Sequence, residues 1–283
     1  MRVTFFASDK QREQDLGQAF IDGVRKHGDD GCVNALNGEA QTADDSEAAI
    51  FVGVKSRELY AANRAAGIHT VMIDKGYSRH RIEGTRIWEY WRVAVNGHHP
   101  TRYLGEALPH DRLKLLNIEL MPWHERGKHI LICGSSAKYH QFYGLVDPTT
   151  YAEGLVAEIR SHTDMPIYYR PKPSWKDARE IRGAKWSPGG RTLDLYLRAA
   201  AVMVTHGSNA CFEAVCAGVP CIITGDAVAK PISSTAVADI NGPYLATDRQ
   251  RRQWLANLAY QQWTMLEFRT GEAWATIRQQ IDR

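Results

Sequence analysis

The amino-acid sequence predicts an α/β protein built from two successive parallel-sheet units. Two observations carry this prediction. Short β-prone apolar runs alternate with amphipathic helical segments along most of the 283-residue chain, which is the pattern of strands linked by crossover helices. The alternation breaks after about residue 77 and restarts at residue 129, beyond a polar connector marked by proline and glycine. Two such series imply two sheets, and we place the domain boundary between residues 122 and 123.

The first unit, residues 1–122, shows the order β-α-β-α-β. Leu16, Phe20 and Val24 recur at helical spacing, and Gly67 ends the second helical run. The segment after the third strand is aromatic and basic and has no clear period. The predicted elements are strands over residues 2–7, 48–54 and 68–73 and helices over about residues 12–26, 56–66 and 111–120.

The second unit, residues 123–283, repeats the alternation and ends in a helical tail. Thr247 and Gln250 stand at the spacing of a capping box, which predicts that a long helical region begins there and continues towards Trp274. The other predicted elements are strands over residues 129–133, 166–169, 201–205 and 220–224 and helices over residues 150–160, 193–200 and 210–217.

The composition is that of an ordinary globular chain. Apolar residues make up 44% and charged residues 24%, which excludes a disordered or fibrous protein. No apolar run approaches the roughly 20 residues that cross a bilayer, and the first strand leads into Asp9 and Lys10 rather than into a signal-peptide core. We therefore expect a cytoplasmic protein. Its five cysteines lack paired C-x-x-C spacing, which predicts reduced thiols and no zinc site.

The segment over residues 201–224 is the most informative for function. A buried strand leads to His206 and a tight turn at Gly207, and a short helix begins near Ser208 or Asn209. Backbone N–H groups and the positive end of a helix dipole at such a turn favour a phosphate. Glu213 lies one helical turn after Asn209, where a carboxylate can accept hydrogen bonds from ribose hydroxyls. Together these features predict a site for a nucleoside diphosphate.

This segment resembles the donor-binding segment of GT-B glycosyltransferases, in particular bacterial capsule-type and phage-borne members. The shared order is His-Gly-Ser-Asn, then Glu, then Ala-Gly-Val-Pro. Upstream, residues 169–173 (Tyr-Arg-Pro-Lys-Pro) are similar to the basic motif of the capsule-type enzymes, although Lys172 stands where many have histidine. The resemblance covers about residues 129–235. It implies two Rossmann-like domains that face each other across a cleft, and a terminal helix able to cross back to the first domain.

The family resemblance also implies a mechanism. A nucleotide-sugar, a UDP-sugar above all, would be held by the C-terminal domain and an acceptor mainly by the N-terminal domain, with no prosthetic group and no metal required. An inverting enzyme needs a base for the acceptor proton; Asp74 and Asp9 follow strands of the first unit, and Asp74 ranks ahead because Lys75 and Gly76 follow it. Besides the 206–213 segment, the implied donor contacts are Gly134, Ser135, Arg170, Lys172, Asp226 and Ser233.

A basic and aromatic stretch follows the third strand. Residues 1–47 hold five Lys/Arg against ten Asp/Glu, whereas residues 48–114 hold eleven against six. Cations neutralise phosphates and aromatic faces stack on bases, so this stretch suits a polyanionic acceptor. Alternatively, the tryptophans of this stretch do not contact an acceptor and are core residues between the domains. The predicted acceptor residues are Lys75, Tyr77, Arg79, Arg81, Arg86, Trp88 and Trp91, and Arg92 and Arg102 complete the cations.

Several functions fit these observations. Because of this basic stretch, a hydroxymethylated base in double-stranded DNA is one candidate acceptor. An enzyme with that acceptor would resemble the phage DNA glucosyltransferases, and the base would have to be extruded from the duplex. A glycan or lipid-linked acceptor is the competing choice. A related sugar-nucleotide epimerase and a non-catalytic nucleotide- or nucleic-acid-binding protein also remain open. The sequence decides neither the donor sugar, nor inversion or retention, nor the oligomeric state.

Overall fold

A computed structural model describes residues 1–36, 42–43, 45–54, 57–78, 89–187 and 192–283. Its strands are β1 (Arg2–Ala7), β2 (Asp30–Ala35), β3 (Ala48–Val52), β4 (His69–Lys75), β5 (Trp91–Val95), β6 (His129–Cys133), β7 (Ile167–Arg170), β8 (Lys185–Trp186), β9 (Ala200–Thr205), β10 (Cys221–Ile223) and β11 (Gln262–Trp263). Its helices are α1 (Gln11–Lys26), α2 (Arg57–Ala65), α3 (Leu113–Leu116), α4 (Ala137–Tyr143), α5 (Pro148–Arg160), α6 (Leu193–Leu197), α7 (Ala210–Cys216), α8 (Asp248–Ala259), α9 (Met265–Thr270) and α10 (Glu272–Ile281).

The chain forms two compact units. Unit 1 contains residues 1–100 and 258–283, and unit 2 contains residues 101–257. The division therefore lies at residue 100, whereas the sequence pattern places it at residue 122. Hydrogen bonds explain the difference, because the Asn257 side chain donates to the carbonyls of Leu104 and Glu106 and accepts from the amide of Leu108. These contacts bind the start of the connecting segment into unit 2.

Unit 1 contains a six-stranded sheet in the order β11-β5-β4-β3-β1-β2. The four strands β2, β1, β3 and β4 are parallel, and β5 and β11 are antiparallel to their neighbours. Every residue of β3 is buried, as are five of the six residues of β1. Nearly continuous apolar runs are typical of parallel strands that are covered on both faces.

The C-terminal tail belongs to unit 1, which confirms the expectation that it returns to the first domain. Strand β11 pairs with β5, and the ring of Phe20 on α1 lies 5.7 Å from that of Phe268 and 5.8 Å from that of Trp274. Gly23 permits this approach, because a Cβ atom there would lie 1.9 Å from the Phe268 carbonyl oxygen. The tail is thus part of the core of unit 1.

A buried carboxylate anchors the last helix. Asp29 is 7% exposed, accepts a hydrogen bond from the Trp274 indole at 2.8 Å and pairs with Arg278 at 3.1 Å. Burial acts to raise the pKa of Asp29, but hydrogen bonds from the Met1 amino group and Trp274 and the charge of Arg278 outweigh it, so that the pKa is lowered. The ionised side chain therefore stabilises the native state.

Unit 2 contains a five-stranded, all-parallel sheet in the order β10-β9-β6-β7-β8. Its core includes Ile132, Tyr169 and Val204 from the sheet and Leu155 and Ile159 from α5. The parallel order places the ends of β6, β7, β9 and β10 at one edge of the sheet. The polar loops that follow these strands therefore share that edge.

A buried guanidinium holds the irregular segment before β6. Arg251 on α8 has no exposed surface and donates to the carbonyls of Met121 at 2.7 Å and Val215 at 2.6 Å. Its guanidinium also lies 4.0 Å from the ring centroid of Trp123.

The capping box predicted at the start of α8 is present, since Thr247 and Gln250 exchange side-chain-to-backbone hydrogen bonds.

We predict that Asp29→Ala destabilises the protein by about 1–3 kcal/mol at pH 7, because it leaves a buried indole N–H without its acceptor. Because the pKa of Asp29 is lower in the native than in the unfolded state, this difference should shrink as the pH falls below about 4. Urea unfolding at several pH values measures both effects. Asp282→Ala, which removes an exposed partner of Arg278, is the matched control and should change stability by less than about 0.5 kcal/mol.

Candidate nucleotide-sugar site

The strand ends of β6 and β7 carry the first predicted group of residues. Cys133 pairs with Arg170 in the ladder, and the Gly134 amide donates to the Arg170 carbonyl at 2.9 Å. Ser135 is 6% exposed, and its hydroxyl is buried without a hydrogen-bond partner among the described residues. Leaving a buried hydroxyl unsatisfied costs about 1–3 kcal/mol. Such a group is a candidate contact for a polar ligand.

Arg170 presents a cation at the same edge. Its Nη1 atom is buried and has no hydrogen-bond partner within the described part of the chain, and its guanidinium lies 5.8 Å from the ring centroid of Tyr196. Burial raises the pKa of the Cys133 thiol to about 12, while the charge of Arg170 acts to lower it and that of Glu213 to raise it. The charges of Arg170 and Glu213 thus both act on the Cys133 thiol, and their contact with one donor molecule stays a prediction. Lys172 is exposed beyond the strand end.

In the turn after β9, some backbone amides already donate hydrogen bonds to side chains of the same turn. The Thr205 hydroxyl donates to the Cys133 carbonyl at 2.7 Å and accepts from the Ser208 amide at 3.0 Å. The Ala210 amide donates to the Ser208 side chain at 3.3 Å, and Asn209 precedes α7 with no side-chain cap. The turn therefore offers fewer free amides than the sequence pattern suggests, and its role as the diphosphate clasp stays a prediction.

The His206 imidazole lies among tyrosines. Its ring centroid is 5.3 Å from that of Tyr151, 5.9 Å from that of Tyr139 and 6.3 Å from that of Tyr143. Its Nδ1 atom lies 3.1 Å from the Tyr151 hydroxyl, which is hydrogen-bonded to Thr224 at 2.8 Å. This packing is tight. Its one signal in the sequence is the cluster of tyrosines and histidines along residues 139–151, which was not among the predicted site residues.

Two glycines make room for this cluster. A Cβ atom at Gly207 would lie 1.8 Å from the Tyr139 hydroxyl, and one at Gly225 would lie 2.3 Å from the His206 ring. Burial lowers the pKa of His206 to about 4, and the charges of His140 and Lys230 act in the same direction. The imidazole is therefore neutral at pH 7 and adds no positive charge for a phosphate.

A cavity of about 480 Å³ lies beside Tyr151 and Thr224, between α5 and residues 235–238. This volume is within the range of small-molecule sites. The lining includes the side chains of Val146, Thr150, Tyr151, Glu158, His162, Thr224, Thr235 and Val237. No local sequence pattern indicates this cavity, because its two walls are far apart along the chain.

The loop after β10 contains the last predicted donor contacts. The Asp226 carboxylate accepts a hydrogen bond from Thr101 at 2.9 Å, and its carbonyl accepts one from the Tyr139 hydroxyl at 3.0 Å. Ser233 is partly exposed, and its hydroxyl oxygen is buried without a hydrogen-bond partner among the residues that are described. Asp226 therefore orders its loop, while Ser233 has the same unsatisfied character as Ser135.

In unit 1, both predicted base candidates lie at the carboxyl edge of the parallel strands. Asp9 is exposed just after β1. Asp74, near the end of β4, is 38% exposed and pairs with the buried Arg92 at 3.2 Å. The structure thus distinguishes the two carboxylates, because Asp74 has a buried cationic partner.

The predicted acceptor residues have different environments. Tyr77 and Trp91 are 3% and 4% exposed, so neither ring is open to stack on an acceptor. For Trp91 this agrees with the alternative prediction that the tryptophans of this stretch are core residues. Lys75 is exposed. The predicted acceptor residues Arg79, Arg81, Arg86 and Trp88 lie outside the described residues.

Two further findings concern the described residues only. They contain no group of three or more His, Cys, Asp or Glu side chains arranged to hold a metal ion. None of their helices combines the length and the apolar character needed to cross a membrane.

Comparison with known proteins gives a result at the level of the fold. No protein-family model and no curated protein matches the sequence. Among solved structures, Thermosulfurimonas dismutans KpsC, described as a beta Kdo 2,7 transferase, is 14% identical, with 95% of this chain and 99% of that chain covered and a TM-score of 0.55. A second structure of KpsC from that organism, described as a beta Kdo 2,4 transferase, is 14% identical, with 92% and 91% covered and a TM-score of 0.52.

These likenesses show a shared fold. The α/β fold of two Rossmann-like domains, predicted from the resemblance to GT-B glycosyltransferases, is confirmed. The identity of 14% is too low to transfer a substrate, so the activity has to be argued from the site itself.

We predict that the His206 ring stays neutral well below pH 6 and that this makes the protein less stable in acid. Because the pKa is about 4 in the native state against an ordinary value of 6.5, the unfolded state binds the proton more readily, and stability falls as the pH decreases from about 6.5 to 4. NMR titration of the histidine rings measures the pKa directly.

His206→Gln should flatten that acid-side decrease in the free energy of unfolding without abolishing it, since burial also lowers the pKa of His140. An unchanged slope in His206→Gln, or a His206 ring that titrates near the ordinary histidine pKa of 6.5, would contradict the assignment.

Proposed function

We propose that this protein is a glycosyltransferase that moves a sugar from a nucleotide-diphosphate sugar to a hydroxyl acceptor. The observation that carries the proposal is the pairing of unsatisfied donors at one sheet edge of unit 2. The Nη1 atom of Arg170 and the hydroxyl of Ser135, on neighbouring strand ends, are both buried without partners among the described residues. A cation and a hydroxyl left unsatisfied together suit a bound anion such as a diphosphate.

The chemistry of transfer explains why a cation is needed there. The leaving diphosphate gains negative charge as the glycosidic bond breaks, so Arg170 and Lys172 can stabilise the transition state more than the ground state. Glu213, whose charge acts on the same thiol as that of Arg170, would accept hydrogen bonds from the ribose hydroxyls. We assign donor binding to unit 2 and the acceptor base to unit 1, with Asp74 ahead of Asp9.

The donor remains to be found by experiment. We expect a UDP-sugar, and the test panel also includes GDP- and CMP-activated sugars. A Kdo donor belongs in the panel because the two similar structures are described as Kdo transferases. Release of the free nucleotide with transfer to an acceptor supports the proposal. Donor turnover to an epimer or to free sugar alone, or donor binding without turnover, would replace it with one of the alternative functions.

We predict that Arg170→Gln weakens binding of the active donor by about 10- to 100-fold, because a charge-assisted hydrogen bond contributes about 1.5–3 kcal/mol. Isothermal titration calorimetry with the intact nucleotide-sugar measures this change. Arg198→Gln is the matched control, since that arginine is exposed on unit 2 and pairs with exposed Asp194. Glu213→Gln should also weaken binding, whereas Glu153→Gln, an exposed change on α5, should not.

For the acceptor, we propose hydroxymethylated duplex DNA. The support is the set of cations in the stretch other than the buried Arg92, namely Lys75, Arg79, Arg81, Arg86 and Arg102. Mass added to the DNA on incubation with the active donor is the expected result. Arg79→Ala combined with Arg86→Ala should weaken DNA binding and reduce the salt slope, because each lost phosphate contact lowers it by roughly 0.9. Acceptor binding that does not respond to salt would exclude DNA and favour a glycan or lipid-linked acceptor.

A further inference from the structure

A buried arginine lies opposite Asp74 in the sheet of unit 1. Asp74 on β4 and Arg92 on β5 are directly paired in the antiparallel ladder, and Nη2 of Arg92 donates to Oδ2 of Asp74 at 3.2 Å. Arg92 is 2% exposed, whereas the Asp74 side chain is 38% exposed. The ion pair therefore has a buried cation and a carboxylate that is partly open to solvent.

The guanidinium is fixed by other contacts besides Asp74. Its Nη1 atom lies 2.7 Å from the His98 carbonyl oxygen, 3.0 Å from the Tyr77 hydroxyl and 3.1 Å from Nδ1 of His99. Its Nη2 atom lies 2.9 Å from Nε2 of His98. Both terminal nitrogens thus face acceptors on the segment around residues 98–99 and on Tyr77. Rotation of the guanidinium would break several of these bonds at once.

This geometry decides the protonation of two histidines. Arginine has donors and no acceptor, so the ring nitrogens that face Arg92 have to be acceptors. In His98 the accepting atom is Nε2, which places the ring proton on Nδ1. In His99 the accepting atom is Nδ1, which places the proton on Nε2. Both rings are neutral in this arrangement.

The Asp74 carboxylate is consequently restrained at both oxygens. Oδ2 is held by Arg92, and Oδ1 accepts a hydrogen bond from the Lys75 amide at 2.7 Å. A carboxylate has about four lone-pair sites, so each oxygen keeps further capacity to accept a proton. Restraint of this kind favours proton abstraction, because a general base works only within hydrogen-bond reach and in the right orientation.

We propose that Arg92 is a positioning residue which, held by Tyr77, His98 and His99, orients the Asp74 carboxylate towards the hydroxyl of the acceptor. This inference rests on the proposed function. In the step concerned, the acceptor O–H proton passes to Asp74 while the acceptor oxygen forms its bond to the anomeric carbon. The bond from that carbon to the diphosphate breaks, and the diphosphate leaves with the electron pair.

Kinetics of Arg92 variants test the proposal. Arg92→Ala should lower kcat by about 10- to 100-fold, because misplacing a reacting group by about 1 Å has an effect of this size, while KM for the nucleotide-sugar stays unchanged. Millimolar guanidinium should restore part of the lost rate in Arg92→Ala and none in Asp74→Asn. Arg64→Ala, which removes an exposed guanidinium from the same unit, is the matched control and should keep the wild-type kcat.

A double variant separates positioning from a general loss of structure. If Arg92 acts through Asp74, the Arg92→Ala change should have little further effect on kcat in the Asp74→Asn background. Effects that multiply independently, or a kcat of Arg92→Ala equal to that of Arg64→Ala, would overturn the proposal. Urea unfolding shows whether each variant is folded, and Arg92→Lys, which keeps the charge without the planar fork, replaces Arg92→Ala if the latter does not fold.

An NMR measurement on the wild-type protein tests the same network without activity. Ring ¹⁵N spectra of histidine-labelled full-length protein should show the Nδ1–H form for His98 and the Nε2–H form for His99. A proton on Nε2 of His98, or a doubly protonated ring at pH 7, would overturn the Arg92 arrangement whatever the kinetics. Absence of transfer from every donor in the wild type would instead remove the proposed function and with it the role of Asp74.

Discussion

The parallel pairing of the strands in unit 2 is the constraint on which the candidate site depends. Strands β6, β7, β9 and β10 run in the same direction, so their carboxyl ends, and the loops that follow, meet at one edge of the sheet. Arg170 ends β7 and Glu213 lies on α7 after β9, and the charges of both act on the Cys133 thiol at the end of β6 although they are distant along the chain. An antiparallel sheet would send alternate loops to opposite edges and would separate these side chains.

In each unit, a buried guanidinium group supplies hydrogen bonds to backbone carbonyls. Arg92 and Arg251 are almost completely buried, and both donate to backbone carbonyls of segments without regular structure. A backbone carbonyl removed from water needs a donor, and arginine supplies several from a rigid plane. In unit 2 this fixes the segment before β6. In unit 1 it fixes the turn around His98, and Nη2 of Arg92 also holds Asp74.

The sequence pattern anticipated the long elements better than the short ones. Strands β1 and β6 and helix α5 have the apolar runs or the periodicity that their burial requires, and they appear where predicted. The strands β2, β5, β8 and β11 were not predicted, and β11 interrupts the predicted helical tail, because a short or mixed segment becomes a strand only when a neighbour offers its hydrogen bonds. The helix predicted over residues 111–120 is reduced to the single turn Leu113–Leu116.

The sequence by itself determined the fold class, the two-part organisation and the residues that stand at strand ends, because hydrophobic periodicity and turn residues act locally. Only the tertiary structure decided what those residues can do. It surrounded His206 with tyrosines so that its pKa falls to about 4, left Ser135 and Arg170 with unsatisfied donors within the described chain, and paired Asp74 with Arg92. Burial and partner choice arise from segments far apart along the chain, and no local pattern records them.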